Sequence, residues 1–314
     1  MLYSTKTAGD KRRDLRQLLT PGAAQPFPGA FTPLSAKLIE EKGFPGAYVS
    51  GAVIANELGL PDVGLTTLSE VATRGGQIAR ATDLPCLIDA DTGFGEPMNV
   101  ARTIQELEEA GLAGCHIEDQ VNPKRCGHLD GKTVVDLETA TKRIRAAADA
   151  RRDEDFLVMA RTDLRATSGL DAAIDRMQAL VEAGADAIFP EALQDLSEFE
   201  QVCAALDVPV LANMTEFGRS ELLTRTQLAE AGVAMVIYPV TLLRAAMGAA
   251  ERVLDTITTE GTQATRVSEM LTRARLYELV DYEGYTRFDT SVFDFEVPTS
   301  PFSADIAVDP RSEK

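Results

Sequence analysis

Two short stretches concentrate the residue types that do chemistry. Asp89-Ala90-Asp91 sets two carboxylates at i and i+2, and in an extended chain these face one side, so their oxygens converge. Gly93 and Gly95 follow at once and let backbone come close to a ligand. With Glu118 downstream the donor set is all oxygen, which suits Mg2+, with Mn2+ as a substitute, partly through water. An Asp-x-Asp by itself is also a common loop cap. The second stretch runs Glu118-Asp119-Gln120, then Lys124-Arg125-Cys126-Gly127-His128. Cys126 lies among cations there, which favours thiolate and makes the sulfur reactive. Pro123, Gly127 and Gly131 read as hinges of a moving loop. A zinc site from Cys115, His116, Cys126 and His128 is the rival, but Cys115 and His116 are adjacent on an extended run and point to opposite faces. The chain has two histidines and no serine elbow, which argues against a Ser-His-Asp hydrolase. His116 stands open between a satisfied core residue and a working one.

The elements that must hold these residues follow from periodicity. Short apolar runs at Pro26–Phe31, Ala47–Ser50, Pro85–Ala90, Gly114–Ile117, Phe156–Ala160, Ala187–Phe189, Pro209–Ala212 and Ala234–Tyr238 read as eight strands. Several are apolar on both faces, as parallel strands under helices should be. Between them Asn99–Ala110, Asp136–Ala150, Leu170–Glu182 and Ser220–Glu230 carry apolar residues at helical spacing. Glu-Ala-Gly recurs at 109–111, 182–184 and 230–232, each time closing a helix before a strand. Helix–glycine–strand repetition predicts an α/β fold, a closed (β/α)8 barrel in one domain over 1–314. A doubly wound open sheet is the alternative, weakened because no G-x-G-x-x-G follows the first strand. Extra helices are expected at Lys11–Leu19, within residues 1–20, and after the eighth strand at Thr241–Glu260 and Ala264–Val280, the last opening a C-terminal extension over 264–295. Residues 296–314 read as a flexible tail.

In such a barrel the chemistry sits at the C-terminal ends of the strands. Those ends present Tyr48 and Ser50, Asp89 and Asp91, Glu118 and Asp119, Arg161 and Asp163, Glu191, Asn213 and Tyr238. Loops are polar anyway, but acids and arginines abutting so many apolar runs exceed what solvation requires. The 314 residues carry a net charge of −18, which argues against nucleic acid or an anionic membrane as partner. An anionic substrate would then need a local cationic pocket or a metal. The four cysteines form no paired framework, the N-terminus shows no secretory h-region and no run is apolar enough to span a bilayer, so the cytoplasm is expected.

Asp89-Ala90-Asp91-Thr92-Gly93-Phe94-Gly95, His116-Ile117-Glu118-Asp119-Gln120 and Lys124-Arg125-Cys126-Gly127-His128 closely resemble the 2-methylisocitrate lyases of the isocitrate lyase/phosphoenolpyruvate mutase superfamily. The likeness runs from about Phe27 to about Phe295; the Cys-containing loop is its specific part, whereas the Asp-x-Asp marks only the superfamily. The resemblance implies a Mg2+-dependent cleavage of 2-methylisocitrate to pyruvate and succinate in propionate catabolism (the methylcitrate cycle). It also implies a barrel whose eighth helix is exchanged between paired subunits in a homotetramer, a dimer of dimers. Carried onto this chain, Asp89, Asp91 and Glu118 hold the metal, directly or through water. Ser50, Gly51 and Ala52 line the pyruvate end, and Ala52 stands where the family usually has a second glycine. Arg161, Glu191, Asn213, Met214, Thr215, Arg244 and Arg273 match substrate-binding positions, as do Cys126 and Gly127 of the catalytic loop.

The reaction explains these groups. Breaking the C2–C3 bond of a tertiary 2-hydroxy acid needs a base for the hydroxyl proton and stabilisation of the developing oxyanion. The other fragment leaves as a succinate aci-carboxylate, which Arg161, Arg244, Lys124 and Arg125 would stabilise, and Cys126 would then protonate. Tyr48 is the expected base, and Lys124 and His128 complete the catalytic set. Phe189, Ile237 and Pro239 would enclose the extra methyl, a discrimination worth only ~1–3 kcal/mol. Isocitrate lyases resemble the chain less, since they carry a tryptophan near the substrate and this chain has none. Dimethylmalate lyase shares the loop, and phosphonopyruvate- or oxaloacetate-acting relatives of the mutase type lack it. A non-catalytic barrel would need ruined site residues, and none is missing.

Overall fold

The structure, a computed structural model, describes residues 4–125, 131–218 and 220–293. The chain divides into two compact units, Tyr3–Ser268 and a smaller one that begins at Glu269. In the first, α1 (Ala8–Leu18), β1 (Gln25–Pro28), α2 (Pro33–Glu41), β2 (Ala47–Val49), α3 (Gly51–Glu57), α4 (Leu68–Arg80), β3 (Cys86–Asp89) and α5 (Pro97–Glu109) come in order. Then follow β4 (Gly114–Glu118), α6 (Leu137–Ala150), β5 (Leu157–Thr162), α7 (Arg165–Ser168), α8 (Leu170–Glu182) and β6 (Ala187–Pro190). Last come α9 (Leu196–Ala205), β7 (Leu211–Asn213), α10 (Arg225–Glu230), β8 (Met235–Tyr238) and α11 (Thr241–Glu260).

All eight expected strands are present and every pairing is parallel. Strands β2 to β6 pair in sequence and β1 pairs with β8, which pairs with β7. Two parallel bridges, Gly29 with Tyr48 and Ile188 with Val210, join these two groups, so the sheet closes into a (β/α)8 barrel. The glycines Gly111, Gly184 and Gly232 adopt φ of +86°, +109° and +93°, the left-handed turn that stops each helix and feeds the next strand.

Side-chain alternation sorts the core into two layers. Cys115, Ile117, Val158, Ala160 and Ile188 pack outward against the helices. Phe27, Tyr48, Leu87, Leu157, Met159, Phe189, Leu211, Met235 and Ile237 fill the barrel interior, and Leu15 and Leu19 of the N-terminal segment join that inner cluster. Helix α1 therefore plugs the end where the strands begin. Thr7 caps it, reciprocally bonded with Asp10, so the helix starts three residues before the expected Lys11.

Two helical expectations change. The Ser220–Glu230 helix begins only at Arg225, because Thr224 and Gln227 form a capping box there. The expected Ala264–Val280 helix is a 3-10 turn, Ala264–Glu269, followed by α12 (Arg273–Leu279), since Thr272 accepts from Arg275 N and starts a new helix. Within the extension expected over 264–295, α13 (Tyr282–Phe293) follows. Helix α11 matches its expected bounds but buries only Thr256, leaving Met247, Leu254 and Ile257 exposed.

Candidate active site

A cavity of about 740 Å³ opens at the C-terminal ends of the strands. Inward-facing positions supply its walls: Tyr48 and Ser50 from β2, Asp89 from β3, Arg161 from β5, Phe189 and Glu191 from β6, Asn213 and Thr215 from β7, Ile237 and Pro239 from β8. Ala52, Lys124, Arg125 and Arg244 complete the part that sequence anticipated, and Phe31 comes from the end of the first expected strand; Asp62, Leu243 and Met247 lie on a loop and a helix that periodicity could not bring there. Met214 is absent from the walls: between Asn213 and Thr215 it turns the other way, into the outer core, where its sulfur accepts from Leu223 N at 3.3 Å. Cys126, Gly127 and His128 lie outside the described residues. Arg273 opens α12 in the smaller unit.

The acids are buried and held by cations. Gly51 N donates to Asp89 Oδ2 at 3.2 Å, and a Cβ on Gly51 would stand 2.9 Å from that oxygen, so glycine is required there. Asp91, at φ +46°, pairs with Lys124 Nζ at 2.7 Å, and the same ammonium also binds Asp62. Burial and the charge of Asp89 push Asp91 up to about 6. Burial opposes ionisation of Asp89 too, but His116, Lys124 and Arg161 carry it below the usual carboxylate range. Burial drives Glu118 well above that range, with Arg161 opposing. Lys124 is raised despite its burial because Asp91, Glu118, Asp89 and Asp62 surround it.

Arg161 is the hub of the opposite wall. Its guanidinium reaches Glu118 at 3.1 Å, Asp163 at 3.1 Å and Glu191 at 3.5 Å, and lies over the Phe189 ring at 5.1 Å. Arg244 is nearer the surface, bound to Glu216 at 2.8 Å and to Thr215 at 3.3 Å. At the floor Tyr48 Oη lies 2.7 Å from His116 Nε2, and His116 Nδ1 is 3.7 Å from Asp89 Oδ1. Burial lowers His116 to about 4 and raises Tyr48, so both are neutral at neutral pH. The neutral tautomer that accepts at Nε2 carries its proton at Nδ1, facing Asp89. Tyr48 and His116 thus share a hydrogen bond at the floor, while His116 Nδ1 is buried without a hydrogen-bond partner and has the Asp89 carboxylate 3.7 Å away.

Whether these acids suit a divalent cation turns on their unspent oxygens. Glu118 Oε1 is buried without a hydrogen bond. Yet Lys124 holds Asp91 and Arg161 holds Glu118, and among the described residues no three His, Cys, Asp or Glu side chains form a closed metal cage. Buried hard carboxylate oxygens without hydrogen bonds, on Glu118 and Asp91, are the donor chemistry of Mg2+, which keeps several waters and takes few protein ligands.

The family described as Phosphoenolpyruvate phosphomutase matches residues 15–258. A probable 2-methylisocitrate lyase 2 of Corynebacterium glutamicum is 56% identical over 295 residues, covering 94% of this chain and 96% of that protein. The 2-methylisocitrate lyase of Aeropyrum pernix is 47% identical over 278 residues, covering 88% and 90%. Among solved structures, oxaloacetate acetylhydrolase with the inhibitor 3,3-difluorooxalacetate superposes with a TM-score of 0.86 at 32% identity, over 91% of this chain and 98% of that one. Phosphonopyruvate hydrolase complexed with oxalate and Mg2+ gives 0.80 at 28% identity, over 92% and 100%.

Proposed function

The chain belongs to the phosphoenolpyruvate phosphomutase family, and from that premise we propose that it is a carbon–carbon lyase cleaving 2-methylisocitrate to pyruvate and succinate. The observation that carries this reading is the cavity itself, where Asp89 and Lys124 meet Arg161 and Arg244 around a space walled by Phe189, Ile237 and Pro239. Identity to the lyases, at 47% and 56%, exceeds that to the oxaloacetate-acting structure, at 32%.

Each residue then has a task. Ser50, Gly51 and Ala52, at the start of α3, hold the pyruvate end. Arg161 and Arg244 bind carboxylates of the succinate end, and Glu191 and Asn213 orient the substrate between them. The hydroxyl proton passes to Tyr48 Oη as the phenol proton moves to His116 Nε2, and Asp89 stabilises the imidazolium. The freed oxygen pair becomes the ketone of pyruvate while the C2–C3 pair stays on C3, giving the succinate aci-carboxylate. Cys126 donates the proton that closes the reaction. Mg2+ held by Asp89, Asp91 and Glu118, directly or through water, would supply electrostatic stabilisation of the charge that develops.

The exposed Met247, Leu254 and Ile257 support an eighth helix exchanged between subunits of a homotetramer. Free Cys86, Cys115 and Cys203 support a cytoplasmic setting, and no described helix is long and apolar enough to cross a membrane. The deciding measurement is pyruvate release with Mg2+ from 2-methylisocitrate against glyoxylate release from isocitrate. A strong preference for the methylated substrate confirms the reading; equal or reversed preference overturns the methyl pocket at Phe189, Ile237 and Pro239.

A further inference from the structure

Behind Arg161, away from the cavity, lies a second buried cation that the reaction as described does not use. Asp163 is fully buried, and its carboxylate serves two cations at once. Arg161 Nε donates to Asp163 Oδ2 at 3.1 Å and its NH2 to Oδ1 at 3.3 Å, while Lys132 Nζ donates to the same Oδ1 at 2.7 Å. The Lys132 side chain is 2% exposed. It is carried there by a short antiparallel return in which Val121 N donates to Thr133 O and Val135 N to Asp119 O, at 2.9 and 2.8 Å. Asp163 is itself fixed from the other side, its N–H donating to Asp119 Oδ1 at 3.0 Å.

Electrostatics gives this arrangement a purpose. A guanidinium forked onto one carboxylate is a neutral pair, and its pull on an anion beyond it is nearly cancelled. Glu118 and Glu191 crowd the same guanidinium and deepen the deficit. We propose that Lys132 is a positioning residue for substrate binding: it neutralises Asp163, so that Asp163 can aim Arg161 without cancelling the charge Arg161 offers to a substrate carboxylate. The inference rests on the reading of Arg161 as a carboxylate-binding residue. The substrate's carboxylates are charged before cleavage begins, so a field from this position acts first on binding; loss of the hydroxyl proton adds one further negative charge on the way to the aci-carboxylate, on which the same field acts a second time and more weakly. The effect is therefore larger in KM than in kcat.

The test is a double-mutant cycle of Lys132→Met and Asp163→Asn, read by calorimetric binding of succinate and by steady-state turnover of 2-methylisocitrate. Lys132→Met alone is expected to weaken succinate binding and raise KM by about tenfold or more, with kcat changed less than about threefold. Adding Asp163→Asn should restore both to within about threefold of the wild type, because the acid that Lys132 offsets is gone. Wild-type binding by Lys132→Met, or a double variant no better than the single one, overturns the proposal. Should Lys132→Met fail to fold, the double variant, which buries no unpaired charge there, decides alone by the same threefold and tenfold limits. A wild type that binds succinate but does not cleave 2-methylisocitrate sinks the lyase reading while the binding cycle still judges Lys132.

Discussion

The two ends of the barrel bury cations for opposite ends. Where the strands begin, α1 lays Lys11 and Arg12 onto the carbonyls that finish α4 and α5. Lys11 Nζ donates to Ala79 O and Thr82 O at 2.7 and 2.6 Å; Arg12 donates to Leu112 O and Glu108 O at 3.1 and 2.6 Å and to Asp153 at 2.7 Å. Helix C-termini carry partial negative charge and spare acceptors, so a cation there is satisfied in place. Where the strands end, cations meet full carboxylates that repel one another. Burial pushes Asp91 to about 6, and Glu118 keeps an oxygen without a hydrogen bond. One end is arranged for the folded chain alone; the other is left to be completed by a ligand. Substitutions should therefore separate cleanly, with activity lost at one end and stability at the other.

The largest separation is expected from Asp89→Ala. It removes the acid that touches Gly51 N and stands behind His116, so pyruvate release should fall by ~10³-fold or more. Because it also relieves crowding with Asp91, the melting temperature should hold or rise. Activity that survives excess chelator and this substitution would break the comparison. Next is Arg161→Lys, which keeps a charge but loses the planar fork shared among Glu118, Asp163 and Glu191. A loss of ~10²-fold in kcat/KM is expected, and unchanged kinetics would make Arg161 structural. At the other end Arg12→Met should cost ~2–4 kcal/mol in denaturant unfolding, since it strands two buried carbonyls and Asp153. The kcat/KM of the folded fraction should not move; a fall in turnover without lost stability would contradict the division.

The contrast also explains what could be read in advance. The barrel was legible because its grammar is local: apolar runs and helical spacing, closed by the glycine of Glu182-Ala183-Gly184 or by Gly261, bound Leu170–Glu182 and Thr241–Glu260 to the residue. It failed where a cap overrode periodicity, as Thr224 and Thr272 did. The inner ring of the site was legible because strand ends are predictable and alternation is strict; the same alternation turns Met214 away. The second ring was not. Asp62 meets Lys124 across 62 positions and Lys132 meets Asp163 across 31, through loops whose paths no pattern encodes.

The smallest effect sharpens the comparison at the plugged end. Arg12 donates to Asp153, and that hydrogen bond holds Asp153 below its usual value of 3.8. A depressed carboxylate pKa means that the stabilising ion pair is fully present above the unfolded value and fades as pH falls through the lower folded one. Asp153 is 30% exposed, so solvent screens the pair and its worth should stay below about 1 kcal/mol. Unfolding free energy of the wild type should therefore decline, as pH falls below the ordinary carboxylate value, slightly more steeply than that of Asp153→Asn, with the two curves converging at the acid end. Arg12 keeps its two carbonyl acceptors throughout, so the plug loosens without leaving. Parallel curves would mean that the carbonyls alone hold α1, and the satisfied end of the barrel would owe nothing to charge pairing.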